Sequence, residues 1–216
     1  YVLARGCRVA DPATAYDGEY MGKKYADITR IYDEKAALQR DSITGEKWSG
    51  LPRYEPIKDL AGNRIEDEGY PFTLITFKSI LGGHSRTIVD EWVRQIWPEN
   101  SIWVNSADAA PLGLRTGDMA RITSATNQEG VTGKVWVTER VRPGVVAVSW
   151  HFGHWAYGSR SFVVDGQDTG AEPERGAGLV PNPVMRIDES VGRVCLQDPI
   201  GGSASFYDTP VRLERV

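Results

Sequence analysis

Gly82-Gly83-His84-Ser85-Arg86-Thr87 is the segment whose residue types point most directly to binding chemistry. It lies between a β-branched, aromatic stretch ending near Lys78 and an apolar stretch with helical spacing that begins near Thr87. A strand, a glycine loop and a helix start, in that order, present backbone N–H groups and hydroxyls to an anion such as a phosphate. The segment lacks the lysine of a P-loop and the three glycines of a dinucleotide fingerprint, so it is neither motif. A turn that needs glycine for positive φ accounts for the same residues.

Asn105 and Asp108 follow a short apolar run. An ionised carboxylate only accepts hydrogen bonds, and two of them from a guanine-like edge would suit Asp108. A helix N-cap followed by a dipole-favoured acid explains both residues equally. The run His151-Phe152-Gly153-His154-Trp155-Ala156-Tyr157-Gly158 concentrates rings and glycine, which suits a flat heterocycle or a core lid. His151 and His154 form an H-x-x-H pair with no nearby Cys or Glu, and two ligands do not hold zinc. The three histidines, with His84, therefore read as packed or loop residues. No G-x-S-x-G elbow occurs, and Cys7 and Cys195 match no C-x-x-C spacing and have no adjacent histidine. Both read as buried free thiols.

The elements that must position these residues are legible in outline. Phe72–Lys78 is β-branched and aromatic enough for a buried strand. Ile88, Val89, Trp92, Val93, Ile96 and Trp97 repeat at helical spacing, with Thr87 and Asp90 as a weak capping box and Pro98 as the stop. Strands are expected at residues 101–104, 119–124, 133–138, 144–150 and 209–215, with a short helix capped by Asn105 or Ser106 after the first. Asn127–Gly130 reads as a loop tip. The Gly- and Pro-rich stretch 153–183 is longer than the roughly 12–15 residues that a structureless loop usually reaches, and such loops often carry function. Residues 1–70 are less regular: a strand at 1–3, turns over 11–22, a helix near 28–40, and loop chemistry from Asp41 to Gly69.

The composition, 41% hydrophobic and 25% charged, is that of a globular chain and excludes disorder and collagen-like repeats. A formal charge of −4 without a basic cluster gives no nucleic-acid face. No apolar run approaches the roughly 18 residues of a spanning helix. The chain starts at Tyr1 without Met, which suggests a piece of a longer protein.

Taken in order, several motifs resemble the C-terminal dinucleotide-binding domain of the molybdopterin oxidoreductases, the dimethyl sulfoxide reductase superfamily. They are Thr76-Phe77-Lys78-Ser79, the 82–87 loop, the run from Ile102 through Asn105, Asp108 and Gly113 to Gly117-Asp118, Val141-Arg142-Pro143-Gly144, Asn182 and Asp198-Pro199-Ile200-Gly201-Gly202. The resemblance implies a mainly β fold with flanking helices, a six-stranded double-psi β-barrel over 71–216. An irregular α/β segment over 1–70 would be the remnant of a preceding domain and linker. It implies a molybdopterin guanine dinucleotide carrying molybdenum or tungsten. By the same likeness Thr76, Lys78, His84, Ser85 and Thr87 contact pterin and phosphates, Asn105 and Asp108 the guanosine end, and Asn182 a pterin. His151, Phe206 and Tyr207 are further cofactor contacts.

In that family the 4Fe-4S cysteines and the residue ligating molybdenum lie in earlier domains, so this chain is expected to hold no catalytic or metal-ligating residue and to be inactive alone. Partners implied are the rest of the catalytic subunit, a membrane anchor subunit, and an iron–sulfur electron-transfer subunit. The parent would be exported and membrane-associated, in anaerobic respiration. Tyr1–Arg8, Tyr16–Tyr20 and Gly201–Leu213 look most like tetrathionate reductases, which implies two-electron reduction of tetrathionate to thiosulfate. Thiosulfate, polysulfide or arsenate reduction is the alternative. A non-catalytic double-psi barrel binding module, or a hydrolase using Asp108, Asp118 or the histidines, would be a function of another class.

Overall fold

The computed structural model describes Ala13 and residues 16–21, 31–87, 90–156 and 158–216. The strand expected at 1–3, Cys7, and Ile28–Arg30, Ile88, Val89 and Tyr157 lie outside these residues. Two compact units are present.

The first comprises the described residues up to Arg40 together with Glu46–Tyr54. Its strands β1 (Tyr16–Asp17) and β2 (Tyr20–Met21) form a hairpin turning at Gly18. Helix α1 covers only Glu34–Leu38, shorter than the helix expected near 28–40. Asp33 has extended backbone and its carboxylate accepts from the Ala36 N–H, so the helix starts there, and Arg40 already pairs with Lys47 across a β-bridge. No α1 side chain is buried.

The second unit comprises Asp41–Gly45 and Glu55–Val216. Residues 55–70 are the turn-rich chain expected, yet they are tied to the rest of this unit. The Leu60 N–H donates to Asp188 and Asp67 pairs with Arg186 at 2.9 Å. The compact unit thus begins before residue 71.

At its centre is a closed barrel of six strands: β3 (Phe72–Phe77), β4 (Ile102–Val104), β5 (Met119–Thr123), β6 (Val131–Val137), β7 (Val145–Ser149) and a final β12 (Thr209–Arg215), in the order β12-β3-β7-β4-β6-β5. Two pairings are parallel, β3 with β7 and β4 with β6, and the others antiparallel, the double-psi arrangement. Alternation sets the register. Leu74, Ile102, Val104, Ala120, Ile122, Val135, Val146, Val148, Val211 and Leu213 fill the interior, while Arg121 and Arg212 between them face water. Closure leaves no sheet edge open. Outside the wall, Trp103 packs on Phe77 and Trp136 with ring centroids 4.6 and 4.5 Å away.

The flanking elements depart from expectation in three places. Helix α2 spans Glu91–Ile96, and its N-cap is Asp90, whose carboxylate accepts from the Trp92 and Val93 N–H groups. Thr87 instead accepts from the Gly83 N–H and closes the preceding loop. Trp92 and Ile96 are 78% and 72% exposed, so the apolar spacing does not make a buried face. Two hairpins outside the barrel, β8 (Val163–Val164) with β9 (Gln167–Asp168) and β10 (Ile187–Asp188) with β11 (Val194–Cys195), had no sequence signal. Cys195 lies on the second and is exposed, not buried. The short helix α3 (Ser106–Ala109) is capped by Asn105 as expected. Among the described residues no helix is long and apolar enough to cross a membrane.

The long 153–183 segment is fastened by Asn100, which is 1% exposed. Its amide donates to the Ser149 and Leu179 carbonyls and its carbonyl accepts from the Leu179 N–H. Replacing Asn100 with Ala strands three buried backbone groups at about 1–3 kcal/mol each when unsatisfied, so Asn100→Ala is expected to lose at least about 3 kcal/mol. Urea unfolding measures this; a loss below about 1 kcal/mol would show that water replaces the amide.

Candidate functional site

Parallel pairing of β3 with β7 puts the carboxyl ends of both strands side by side, Phe77 opposite Ser149. Residues 78–87 leave one strand and residues 150–154 the other, so the glycine loop and the histidine-rich run meet. Phe206 and Tyr207 join them, because β12 runs antiparallel to β3 and starts at this end.

The rings form a connected group. His84 lies 5.5 Å from Trp150 and 5.8 Å from His151, and Trp150 lies 5.6 Å from Phe206, centroid to centroid. His151 is 7% exposed, and neither of its ring nitrogens has a hydrogen-bond partner. The buried Trp150 Nε1 has none either. A Cβ on Gly82 would lie 2.6 Å from the His151 ring, so only glycine lets the loop pass so close. His84 and His151 both hold positive φ, 58° and 98°, where non-glycine residues are uncommon and where strain tends to mark function. A crevice lined by Ser79, Gly82, Arg94, Trp97, His151 and Phe152 runs beneath the loop.

The first N–H groups of the loop are taken within the fold. The Leu81 N–H donates to Ser79 Oγ, that of Gly82 to the Ser79 carbonyl, and that of Gly83 to Thr87 Oγ1. The first N–H groups of α2 are taken by Asp90. The side chains gathered at this end are His84, His151, the exposed Lys78, Phe206 and Tyr207, and the partly exposed Trp150. Ser85 belongs to the short 3-10 turn His84–Arg86. Thr76 is buried on the interior side of β3, alternating with Leu74. Asn182 is exposed on a 3-10 turn whose Pro183 carbonyl accepts from Asn127.

Asn105 and Asp108 are not part of this group. β4 runs antiparallel to β7, Val104 opposite Val146, so they sit at the other end of β7. β7, Val145–Ser149, covers roughly 13 Å between its end residues at about 3.3 Å per residue, and the two groups lie beyond its opposite ends. The Asn105 amide donates to Glu139 and the Val141 carbonyl while its oxygen accepts from Ala107, so its hydrogen-bonding capacity goes largely to the fold. Asp108 uses one carboxylate oxygen to accept from the Gly144 N–H at 2.7 Å. The other has no hydrogen-bond partner among the described residues.

The sequence reading missed Trp150, Arg94 and Asn100. Trp150 directly precedes the histidine run, and its position at a strand end was the available signal. Arg94 sat unremarked inside the helical pattern, yet it pairs with Glu172 and Glu174 of the long segment.

Orphaned ring nitrogens beside a loop that only glycine can form fit a ligand that carries both hydrogen-bond acceptors and flat rings.

A family model, the molydopterin dinucleotide binding domain, matches residues 72–177. The chain is 44% identical along all its length to a selenate reductase subunit of Mesobacillus selenatarsenatis and 28% identical, also along its whole length, to a tetrathionate reductase subunit of Salmonella typhimurium. These alignments take in 22% and 21% of the two relatives, so the chain spans about a fifth of their length. Over 64% of the chain and 16% of the relative it is 32% identical to the arsenate respiratory reductase molybdopterin-containing subunit of Chrysiogenes arsenatis. The likeness to the selenate enzyme, which was not among the reductases the sequence motifs pointed to, exceeds that to the tetrathionate enzyme. Acetylene hydratase from Pelobacter acetylenicus shares the fold, with a TM-score of 0.54 at 15% identity over 78% of this chain and 22% of that one.

Burial, first, and then the neighbouring His84 hold the His151 pKa below the ordinary 6.5. Its neutral form therefore contributes stability that is complete above about pH 6.5 and is lost as pH falls through the lowered folded pKa. His151→Asn, a residue that tolerates positive φ, is expected to flatten that acid-side loss in urea midpoints measured between about pH 7.5 and about pH 5. A parallel loss in both proteins would mean that folding does not lower the His151 pKa.

Proposed function

We propose that this chain, which belongs to the molybdopterin oxidoreductase family, is the cofactor-clamping part of the catalytic subunit of an oxyanion reductase. Its barrel unit binds a molybdopterin guanine dinucleotide, and that group supplies the two-electron chemistry when bound. The chain's own residues bind and orient. Lys78, His84 and Thr87 lie where an anionic portion would rest, with Ser85 on the same turn. Trp150, Phe206 and Tyr207 offer faces and edges to a flat ring, and Asn182 a further polar contact. Asp108, pinned by Gly144, presents its second oxygen to guanine. The observation that carries the reading is the pair of unpartnered rings, His151 and Trp150, beside a loop within the matched span.

For the parent we propose selenate as the oxyanion ahead of tetrathionate, because the likeness to the selenate reductase is the stronger and covers the whole chain. We further propose an iron–sulfur cluster in the rest of the catalytic subunit, a membrane anchor and an iron–sulfur partner subunit, with the assembly on the outer face of the membrane.

Isothermal titration with guanosine diphosphate, and adenosine diphosphate as control, tests the binding reading. Asp108→Asn keeps an acceptor for Gly144 while replacing the charge, so the fold should persist while guanosine binding weakens by about 1–3 kcal/mol. Equal binding of both nucleotides by the native chain and the variant would remove Asp108 from recognition. For the parent, a reduced-viologen assay is expected to give a higher kcat/KM for selenate than for tetrathionate. The reverse order would restore tetrathionate.

A further inference from the structure

All three histidines of the sequence gather at one end of the barrel, brought there by different segments. His84 comes from the loop after β3, and His151 and His154 from the run after β7. The charged groups acting on His151 are His84, Lys78 and His154, every one of them basic, while the His84 backbone acts the other way and favours the protonated ring, at a geometry too poor to count as a hydrogen bond. Arg94 lines the same crevice from α2, but its guanidinium lies 3.9 Å from Glu172 and 3.7 Å from Glu174. The histidines are not spaced as metal ligands: among the described residues no group of three or more His, Cys, Asp or Glu is placed to hold a metal ion.

The two unpartnered nitrogens of His151 limit what can satisfy them. A neutral imidazole has one donor and one acceptor, whereas an imidazolium has two donors. A fully ionised oxyanion is acceptor-only, so both nitrogens can turn to such ligands or share one only if both carry a proton. Basic neighbours disfavour that charge, and a bound anion offsets them and favours it.

We propose that His151 takes up a proton when a multivalent oxyanion binds beside the Gly82–Thr87 loop, so that an imidazolium donating from both nitrogens latches the anion among His84, His154 and Lys78. The inference deepens the cofactor-binding reading of this loop and rests on it. The cofactor's diphosphate and an oxyanion substrate share the required chemistry. The proton comes from solvent, and no covalent bond changes. Binding should tighten as pH falls, by at most about tenfold per pH unit for one proton, between the free and bound pKa values of His151.

The full chain has three imidazoles, so its histidine ring NMR resonances can be assigned with His84→Gln, His151→Asn and His154→Gln. Their midpoints are followed from about pH 5 to about pH 9 with inorganic pyrophosphate, guanosine diphosphate or selenate, and with chloride at equal ionic strength as control. The expected result is a His151 midpoint raised by about one unit or more by at least one oxyanion. Calorimetry in two buffers of different ionisation enthalpy should show matching proton uptake, absent in His151→Asn. An unmoved His151 midpoint with every anion overturns the proposal, as does uptake that persists in His151→Asn. A shift with pyrophosphate and guanosine diphosphate alone assigns the latch to the diphosphate, and one with selenate alone assigns it to the substrate. Guanosine diphosphate that binds while neither pyrophosphate nor selenate moves His151 sinks the latch and leaves the cofactor reading standing. A shift with pyrophosphate but no guanosine preference keeps the latch and sinks guanine recognition.

Discussion

The parallel pairing of β3 with β7 is the constraint on which the site depends. Antiparallel neighbours would send the chain after Phe77 and the chain after Ser149 to opposite ends of the barrel. Parallel register, Phe77 against Ser149, delivers both to one end and forces the loop to cross the His151 ring. Crossing that closely excludes a side chain at residue 82, and this accounts for Gly82 without appeal to its φ. The same closeness buries the imidazole before any ligand is present. A ring with two unmatched nitrogens in that position is costly unless something external completes it, and fold stability must be found elsewhere.

Asn100 is where much of it is found. Three hydrogen bonds from one buried amide hold Ser149, the last residue of β7, to the strap carrying Leu179. Arg94 adds a looser electrostatic tie to Glu172 and Glu174 at 3.9 and 3.7 Å, its buried Nη1 having no hydrogen-bond partner. The long segment is thus held at a few points around the histidine run. Its Gly178 approaches Asn100 so closely that a Cβ would lie 2.4 Å from Asn100 Oδ1, so the strap and its anchor were shaped together.

Strand alternation made the barrel legible in the sequence. β12 fell at Thr209–Arg215 as expected because its pattern of Val211 and Leu213 inward and Arg212 and Glu214 outward has no helical alternative. Helix α2 was harder. Its apolar spacing was helical, yet Asp90 rather than Thr87 begins it, since a Thr hydroxyl has a competing use in closing the glycine loop. The loop's glycines suggested free N–H groups, and local sequence cannot show that Ser79 and Thr87 accept those of Leu81, Gly82 and Gly83. The histidines read as ordinary for the same cause. His84 and His151 are distant in the chain, and only the β3–β7 pairing, a non-local fact, makes them neighbours. Cys195 was misplaced because β10–β11 lies outside the barrel, where an apolar pair carries no implication of burial.

The two clusters of candidate residues at opposite ends of β7 follow from one topology. β4 is antiparallel to β7, so the residues after β4, Asn105 and Asp108, must lie where β7 begins, just as the residues after β3 must lie where it ends. A compact nucleotide reaches only one cluster. An extended ligand with a flat ring at each end and a charged middle can engage both, and β7 then acts as a rigid spacer between the group that reads one end and the imidazole at the other. Asp108 is suited to such a role because Gly144 fixes one oxygen and so fixes the direction of the second. His151 is suited because it cannot settle its nitrogens within the protein. On the proposed reading one site is oriented in advance and the other is left incomplete, so the first would confer selectivity and the second would make the free energy of binding depend on a charge that is absent until the ligand arrives.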